Sequence, residues 1–527
     1  MLADGLRYVG DSLGLDCVAY TMIQHLCQSN RSIVSDSGLT LERWITNLAT
    51  FAGLLYRKHC ETDVKGLLSW CVRALAEGGE PAMAAGKVLR EVLHQAGGVQ
   101  VLDGWSITQA QVDGKGGGDV LRQENASFGA TVKAIKKAQK MLQDGMDKAG
   151  ASVPLLILPA HQKEALLYEG GSLDDQMKGK PQPHLKVLGH RSDETHTTML
   201  QASEFVCSSK AWIRTKCPSL VALVKTYKLE PRVAFHIWRP IINDNLIKHW
   251  FGKVGSISGK TTKKEIDDKV VTPADRFIKA LEADITTLIP DSEPLTSKLL
   301  VVFWALSLSD VYVPTKRYAA VVSNMQDAKA RAKSKLQEDV NSVEKLNKAE
   351  RTMYEADLKR CDPMVSSLEK EKAEQMAHVK RVKNKLREIK GELFDKNYKK
   401  HHPTKAESVQ AVLKSLVAPR IGMGPEEAYF CSKFFNTLHA IEAPDFNSLL
   451  FYQKCLVCLS PTLLCKTQYE AASLGFFLKD LLENVKEWRK SGNEAIFKME
   501  AGTKHGFNLR AAGEGSTEPK GAYTVCF

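Results

Sequence analysis

Three short patterns in this chain have residue types and spacing that could do chemistry. Ser256-Ile-Ser-Gly-Lys-Thr-Thr262 ends like a phosphate-binding loop, in which glycine backbone wraps a nucleotide's phosphates and the lysine reaches them. That loop needs a glycine five residues before Gly259. Val254 stands there instead, Gly255 is one residue late, and no buried parallel-strand pattern precedes it. A basic linker accounts for the segment; a nucleotide hydrolase using Lys260 and Thr261 is the enzymatic alternative. Cys455-Leu-Val-Cys458, with Cys465 beyond it, has the spacing of a zinc or redox pair. Zinc needs four converging ligands, yet a second pair is missing and the nearest upstream histidine is His439. Leu449, Leu450, Phe451, Leu456, Val457 and Leu459 surround the pair and read as a buried helix, where cysteine is a common core residue. His161 with Glu164, and His401-His402 in a basic loop, lack partner ligands. The His-Glu-x-x-His, Gly-x-Ser-x-Gly and Gly-x-Gly-x-x-Gly motifs do not occur. The expectation is a protein with no catalytic residue, no metal and no cofactor.

Charge is the strongest chemical feature. Between Lys316 and Lys400 there are 22 Lys or Arg against 14 Asp or Glu, a surplus of eight within a chain total of +12. The densest part is Lys380-Arg-Val-Lys-Asn-Lys-Leu-Arg387. On a helix, Val379, Val382 and Leu386 face a partner while Lys380, Arg381, Lys383, Lys385, Arg387 and Lys390 fan over the other faces. Such a surface binds phosphates without reading sequence, and does so less well in salt. Aromatics for base stacking are sparse, only Tyr318, Tyr354, Phe394 and Tyr398, so any nucleic-acid contact is expected to be backbone-directed. The plainer reading is a solvated helix face balanced by Glu369, Glu371, Glu374 and Glu388.

The elements that position these residues read as helices. With 527 residues, the chain is long enough for several packed units or one extended array. Hydrophobic residues make up 43% and charged residues 25%, which excludes a disordered or collagen-like chain. Trp44, Leu48, Phe51 and Leu55, then Val64, Leu67, Leu68, Cys71 and Leu75, recur at helical spacing. Gly114-Lys-Gly-Gly-Gly118 reads as a flexible insert or turn. The apolar run Val153–Ala160 fits a strand or a buried helix equally well. From Thr261 to Lys390 there is no glycine, which favours long helices. Pro314 is expected to open a helix, Tyr318 to Arg360 to run as one charged stretch, and Pro363 to mark a break or hairpin. Val379, Val382, Leu386, Ile389 and Leu393 step by 3, 4, 3, 4, a coiled-coil seam of about two heptads. Leu474, Leu478, Leu481, Val485 and Trp488 form a last apolar stripe. No strongly apolar run was expected to reach the roughly 18 to 20 residues of a membrane span. The first 25 residues, with Asp4, Asp11 and Asp16, predict no secretory leader. Twelve scattered cysteines then predict reduced thiols in cytosol or nucleus.

Several blocks, in order, resemble the large helical subunit 2 of the THO complex, a nuclear assembly coupling transcription to mRNA export. They are VPLLILPAHQKEALLYE from Val153, HLKVLGHRSDETHTTMLQASEF from His184 and VVFWALSLSDVYVPTKRYAAVV from Val301. EKEKAEQMAHVKRVKNKLREIK follows from Glu369, APRIGMGPEEAYFCSKFFNTLHAIEAPDFNSLLFYQKCL from Ala418, and LGFFLKDLLENVKEW from Leu474. The blocks touch about 150 to 500 and correspond to a middle portion of longer family members; the pattern fades after about His505. The resemblance implies a non-enzymatic all-α scaffold, an extended helical-repeat, solenoid-like array with a long charged helical hairpin over 316–400. Its expected units are a helical region 1–150, a middle-type domain 151–250, a linker and connecting helix 251–294, a C-terminal-type domain 295–505 and a disordered tail 506–527. It implies a nuclear location, with other THO subunits, a DEAD-box RNA helicase and messenger ribonucleoprotein as partners, and no membrane. Phe303, Trp304, Leu306, Tyr429, Phe430, Phe434, Phe435 and Leu438 would be its packing residues. A freestanding basic helical nucleic-acid-binding protein is the alternative.

Overall fold

The computed structural model describes residues 12–28, 31–35, 40–102, 107–125, 132–169, 185–252, 272–289, 295–341, 347–394, 405–444 and 446–489. Lys260, Thr261, His401, His402 and the expected tail 506–527 lie outside these residues, as does most of the linker 251–294. Among the described residues the architecture is an all-α helical array, and the β pairing is one isolated bridge, Val34 to Leu41.

The N-terminal part runs through α1 (Ser12–Leu26), α2 (Arg43–Lys58), α3 (Lys65–Glu77) and α4 (Gly79–Gln95). Short α5 (Gln109–Gly116) and α6 (Asp119–Asn125) follow, then α7 (Val132–Ala149), α8 (Ser152–Glu169) and α9 (Leu185–Val206). The run Val153–Ala160 is thus helical and lies in α8, with Pro159 inside it and Leu155 and Leu156 buried. The stripe on α3 is buried as its spacing predicts. On α2 the buried face is rotated: Ile45, Ala49, Ala52 and Tyr56 go under with Leu55, while Trp44, Leu48 and Phe51 are only partly covered. Small residues win that face because α4 comes so close. A Cβ on Gly53 would stand 2.7 Å from the Glu91 carbonyl oxygen.

The middle comprises α10 (Lys210–Thr215), α11 (Leu220–Lys225), α12 (Pro231–Phe251), α13 (Pro273–Leu288), α14 (Ser297–Ala305) and α15 (Leu308–Val311). Two long helices follow, α16 (Thr315–Asn341) and α17 (Lys348–Ile389), packed together as the charged hairpin. Pro314 opens α16 as expected, its carbonyl accepting from the N–H groups of Arg317 and Tyr318. The break does not fall at Pro363. It lies before Asn347, which caps α17 in a reciprocal box with Glu350, and Pro363 sits inside α17. The cap supplies two hydrogen bonds at a helix start, whereas the proline removes only one from a helix of 42 residues.

The last part holds α18 (Lys405–Val412), α19 (Ala418–Ile421), α20 (Pro425–Ala440), α21 (Ser448–Lys454) and α22 (Gln468–Arg489). Leu474, Leu478 and Leu481 are buried on α22, and Val485 is partly covered. Ser448–Cys465 has the length and mean hydropathy, 1.4, of a membrane span, which overturns the expectation that no stretch does; a third of it is buried in the protein. It is broken into α21, a π turn at Cys455–Leu459 and a 3-10 turn at Ser460–Cys465. One apolar cluster extends from Met22 to Leu481 and joins all three parts. Phe303 lies at its centre, with ring centroids 5.6 Å from Phe430, 5.4 Å from Phe434 and 6.0 Å from Phe435. Trp304 stacks on Phe235 at 5.2 Å. Of the aromatic residues picked out in the sequence, Phe303, Phe430, Phe434 and Phe435 join α14 to α20, Trp304 joins α14 to α12, and Tyr429 packs on Tyr312.

Candidate interface at the root of the long hairpin

Five of the six basic residues lie on the C-terminal half of α17 and Lys390 opens the 3-10 turn after it, where the hairpin meets the array. Val379, Val382, Leu386, Ile389 and Leu393 are buried as their spacing predicts. Val382, Leu386, Ile389 and Leu393 join the main core, so the seam docks on the array and not on α16 as a coiled coil would require. The basic residues do not form one uniform face. Lys380, Arg381 and Arg387 are exposed, whereas Lys383, Lys385 and Lys390 are half-buried. Arg381 lies over the Phe251 ring, 5.8 Å from its centroid. Lys385 pairs with Glu388 at 2.8 Å, Arg387 donates to Asn384 at 3.2 Å, and Lys390 donates to the Ile441 carbonyl at 3.0 Å. Burial, and then the nearby Lys433 ammonium, push the Lys383 pKa down. The surface thus presents three exposed cations, with Lys383, Lys385 and Lys390 half-buried beside them and Lys385 and Lys390 held in local contacts.

Charge is distributed unevenly along the hairpin. From Asp327 to Asp362 there are nine basic and eight acidic residues, whereas Lys380 to Lys390 has six basic and one acidic. The distal part is nearly neutral, and the cationic part is the root.

A polar clasp fixes that root. Of the two readings of Gly114–Gly118, the structure has the turn and not the insert: Gly114 to Gly116 are in α5, Gly117 and Gly118 turn the chain into α6, and a Cβ on Gly118 would collide with Glu371 Cδ. The Glu371 carboxylate accepts from the N–H groups of Val120 at 2.7 Å and Leu121 at 3.1 Å, and from the Tyr318 hydroxyl at 2.8 Å. Gly118 N–H donates to the Tyr318 oxygen at 3.0 Å. A carboxylate at the first turn of α6 meets orphan donors and the positive end of the helix dipole. Gln375 donates to the carbonyls of Gly116 at 2.8 Å and Tyr312 at 3.2 Å. His378 lies 2.8 Å from Asp310, whose other oxygen accepts from Asn243 at 2.9 Å.

A second buried network ties α12, α14, α19 and α20. Arg420 is fully buried; its Nε donates to Glu427 at 2.6 Å and its Nη2 to the Leu306 carbonyl at 2.7 Å. Its Nη1 donates to the Phe303 carbonyl, and Arg239 donates to the other Glu427 oxygen. The guanidinium stacks 3.5 Å from the Phe430 centroid. Arg420 therefore satisfies open carbonyls at the end of α14 and the Glu427 charge at once. Burial alone would raise the Glu427 pKa, but Arg239 and Arg420 hold it well below the usual carboxylate range. Burial, helped by Arg239, pushes His236 down to about 4.

Cys455 is buried while Cys458 and Cys465 are exposed, and all three are free thiols. Among the described residues no three His, Cys, Asp or Glu side chains gather as a metal site. His161 meets the Tyr227 carbonyl at 2.8 Å. Nothing in the spacing of the sequence marks Arg420, Glu427 or the seating of Glu371.

The fold and this surface define an all-α helical-array protein whose polar clusters hold helices together. A family profile described as transcription factor/nuclear export subunit protein 2 matches residues 292–524, and one described as transcription- and export-related complex subunit matches 1–49. THO complex subunit 2 of Arabidopsis thaliana is 26% identical over 96% of this chain and 27% of its own length. The Homo sapiens protein of that name is 24% identical over 97% of this chain and 30% of its own length. The Saccharomyces cerevisiae one is 20% identical over 92% and 26%. The chain is thus similar, over nearly its whole length, to proteins named THO complex subunit 2. It spans less than a third of the length of these relatives. Similarity reaches both ends: the profile match runs past His505 to residue 524, and the first 49 residues are matched too, correcting the expectation that the pattern fades there.

Proposed function

We propose that this chain is a non-catalytic scaffold segment of a nuclear THO-type complex that couples transcription to mRNA processing and export. The observation that carries the reading is its relation, over nearly its whole length, to proteins named THO complex subunit 2. The fold supports it: the largest buried side chains and the two polar networks serve helix packing, which leaves the outer helix faces and the hairpin for docking. Its partners would be other THO subunits, a DEAD-box RNA helicase and the nascent messenger ribonucleoprotein. No membrane belongs to this reading.

A second activity is favoured by the hairpin root. Lys380, Arg381 and Arg387 are exposed side by side on α17 and would give weak, backbone-directed RNA contact, with Lys383, Lys385 and Lys390 at its edge. The deciding experiment is affinity purification of the tagged chain from nuclear extract, with and without nuclease, followed by mass spectrometry. Retention of THO subunits and a DEAD-box helicase after nuclease is the expected result. Recovery of RNA-binding proteins alone, all lost with nuclease, would refute the scaffold reading and favour a freestanding nucleic-acid binder.

A further inference from the structure

A row of lysines on α7 stands outside both polar networks. From Asn125 to Gln143 the sequence has four lysines and no Asp or Glu. The other face of α7 fixes the helix in place. Ala138, Leu142 and Met146 are buried, Gln139 donates to the Gly97 carbonyl at 2.8 Å, and a Cβ on Gly145 would collide with Val64. Lys136, Lys137 and Lys140 are exposed, and among the described residues none of the three makes an ion pair. The carboxylates around them are engaged elsewhere or stand apart. Glu61 meets His59 at 3.8 Å and Asp147 takes Lys216 at 2.7 Å. Asp144, one turn past Lys140, forms no ion pair with it.

The row is unfavourable where it stands. Lys136 with Lys140, and Lys137 with Lys140, are one turn apart, and like charges at that spacing weaken a helix. The first turn of α7 has no acidic residue, although a carboxylate is favoured there. Packing and helix stability therefore leave the row unexplained, whereas an anion laid along it would relieve the repulsion. The surroundings choose the kind of anion. An acidic lipid surface takes a basic helix by its apolar face, and that face of α7 is inside the array. An acidic protein segment binds chiefly through a buried anchor beside the charges. The exposed large apolar side chains include none on α7, or on α2 and α3, against which it packs. A phosphate backbone needs only a row of cations, and lysine, a point charge without the arginine fork, holds it without reading bases. We propose that α7 is a second nucleic-acid backbone contact, on a different helix from the hairpin root, which holds a strand through Lys136, Lys137 and Lys140. It goes beyond the scaffold reading and does not depend on the contact at the root.

The probe is a fluorescein-labelled oligouridine of about 16 nucleotides, titrated with the full 527-residue chain and followed by anisotropy. The triple variant Lys136→Glu, Lys137→Glu, Lys140→Glu should bind roughly tenfold or more weakly. Its logarithmic salt slope should be flatter by about 2, at about 0.7 per lost phosphate contact. Its thermal midpoint without oligouridine should equal or exceed that of the wild type, because the repulsion is gone; a purely structural role would lower it. If the midpoint falls, the triple with Gln at the same positions carries the test. The same loss is expected when Lys380, Arg381 and Arg387 are already reversed. Undiminished binding in the α7 triple, or a loss that tracks a lowered midpoint in both triples, would overturn the proposal; the root reading survives that result if reversal at the root still weakens binding. Weakening by the α7 triple alone would instead uphold this proposal and remove the root. Absence of binding to the wild-type chain would overturn both. Polyglutamate that binds as tightly as oligouridine, and is lost with the same triple, would assign the row to an acidic protein and also overturn it.

Discussion

Glu427→Gln should be among the most destabilising single substitutions in this chain. The side chain keeps its shape, so packing around it is unchanged. What disappears is the charge that two buried guanidinium groups share: Arg420, with no exposure, and Arg239, at 8%. Removing one partner of a buried ion pair costs about 3 to 5 kcal/mol, because the remaining charge is left without a counter-ion. Here two cations are left, which places the expectation at the upper end. In a chain of this size each kcal/mol moves the melting midpoint by about 1 °C, so a fall of about 3 to 5 °C is expected. Scanning fluorimetry at neutral pH, with urea titration alongside, measures it. Arg420→Lys should also be costly, because a single ammonium cannot reach Glu427 and the carbonyls of Phe303 and Leu306 together. The sign with pH is fixed by the depressed Glu427 pKa. Its contribution is complete above the ordinary carboxylate value of about 4.3 and is lost as pH falls through its lower folded value. A Glu427→Gln chain within about 1 kcal/mol of wild type would refute the reasoning.

Glu371→Ala removes the acceptor for Val120, Leu121 and Tyr318 and should cost about 1.5 to 3 kcal/mol. Hydrogen exchange should then rise in 119–125 and the start of α16 but not in α20; unchanged exchange at 119–125 would count against the clasp. His236 and His196, whose pKa values burial drives down, should make the fold acid-sensitive. The unfolded chain takes up protons near pH 6.5 and folded His236 only near 4, so stability falls as pH drops across that window. A His236→Gln chain should lose part of that slope, measured as melting midpoint against pH; an unaltered slope would remove His236 as a cause. Charge reversal of Lys380, Arg381 and Arg387 together should weaken single-stranded RNA binding and flatten the logarithmic salt slope by about 2, at about 0.7 per lost phosphate contact. Reversal of Lys329, Arg331 and Lys333 on the nearly neutral distal part is the control, and an equal effect there would argue against the root as the contact surface.

The helical class was legible because apolar spacing and the absence of glycine from Thr261 to Lys390 both point one way. The hairpin turn was not, because Pro363 is the louder signal. The quieter one, Asn347 with Glu350 three residues on, has the form of a capping box and marks the start of α17. The seam was read only where it is apolar. Continued backward from Val379 at the same steps, it passes through Gln375, Lys372 and Leu368. Glu371 and His378, which build the joint with Gln375, lie one residue to the side of that register and carry no apolar signal. The rotated face of α2 shows the opposite limit. Hydrophobicity ranks Trp44 and Phe51 above Ala49 and Ala52, but the close approach of α4 selects for small size. Arg420 gives no periodic signal, since the carbonyls it binds belong to a helix more than a hundred residues earlier.

The clasp also has a meaning in time. The contact between Glu371 and Val120 spans 251 residues. At a synthesis rate of about 5 to 20 residues per second, the first turn of α6 leaves the ribosome about 13 to 50 seconds before the carboxylate that satisfies it. Throughout that interval the Glu371 acceptor of the Val120 and Leu121 N–H groups is not yet made. The N-terminal third is therefore completed late, by a residue that also seats the hairpin, so any ribosome that stops between the two leaves a chain whose first part is made but not closed.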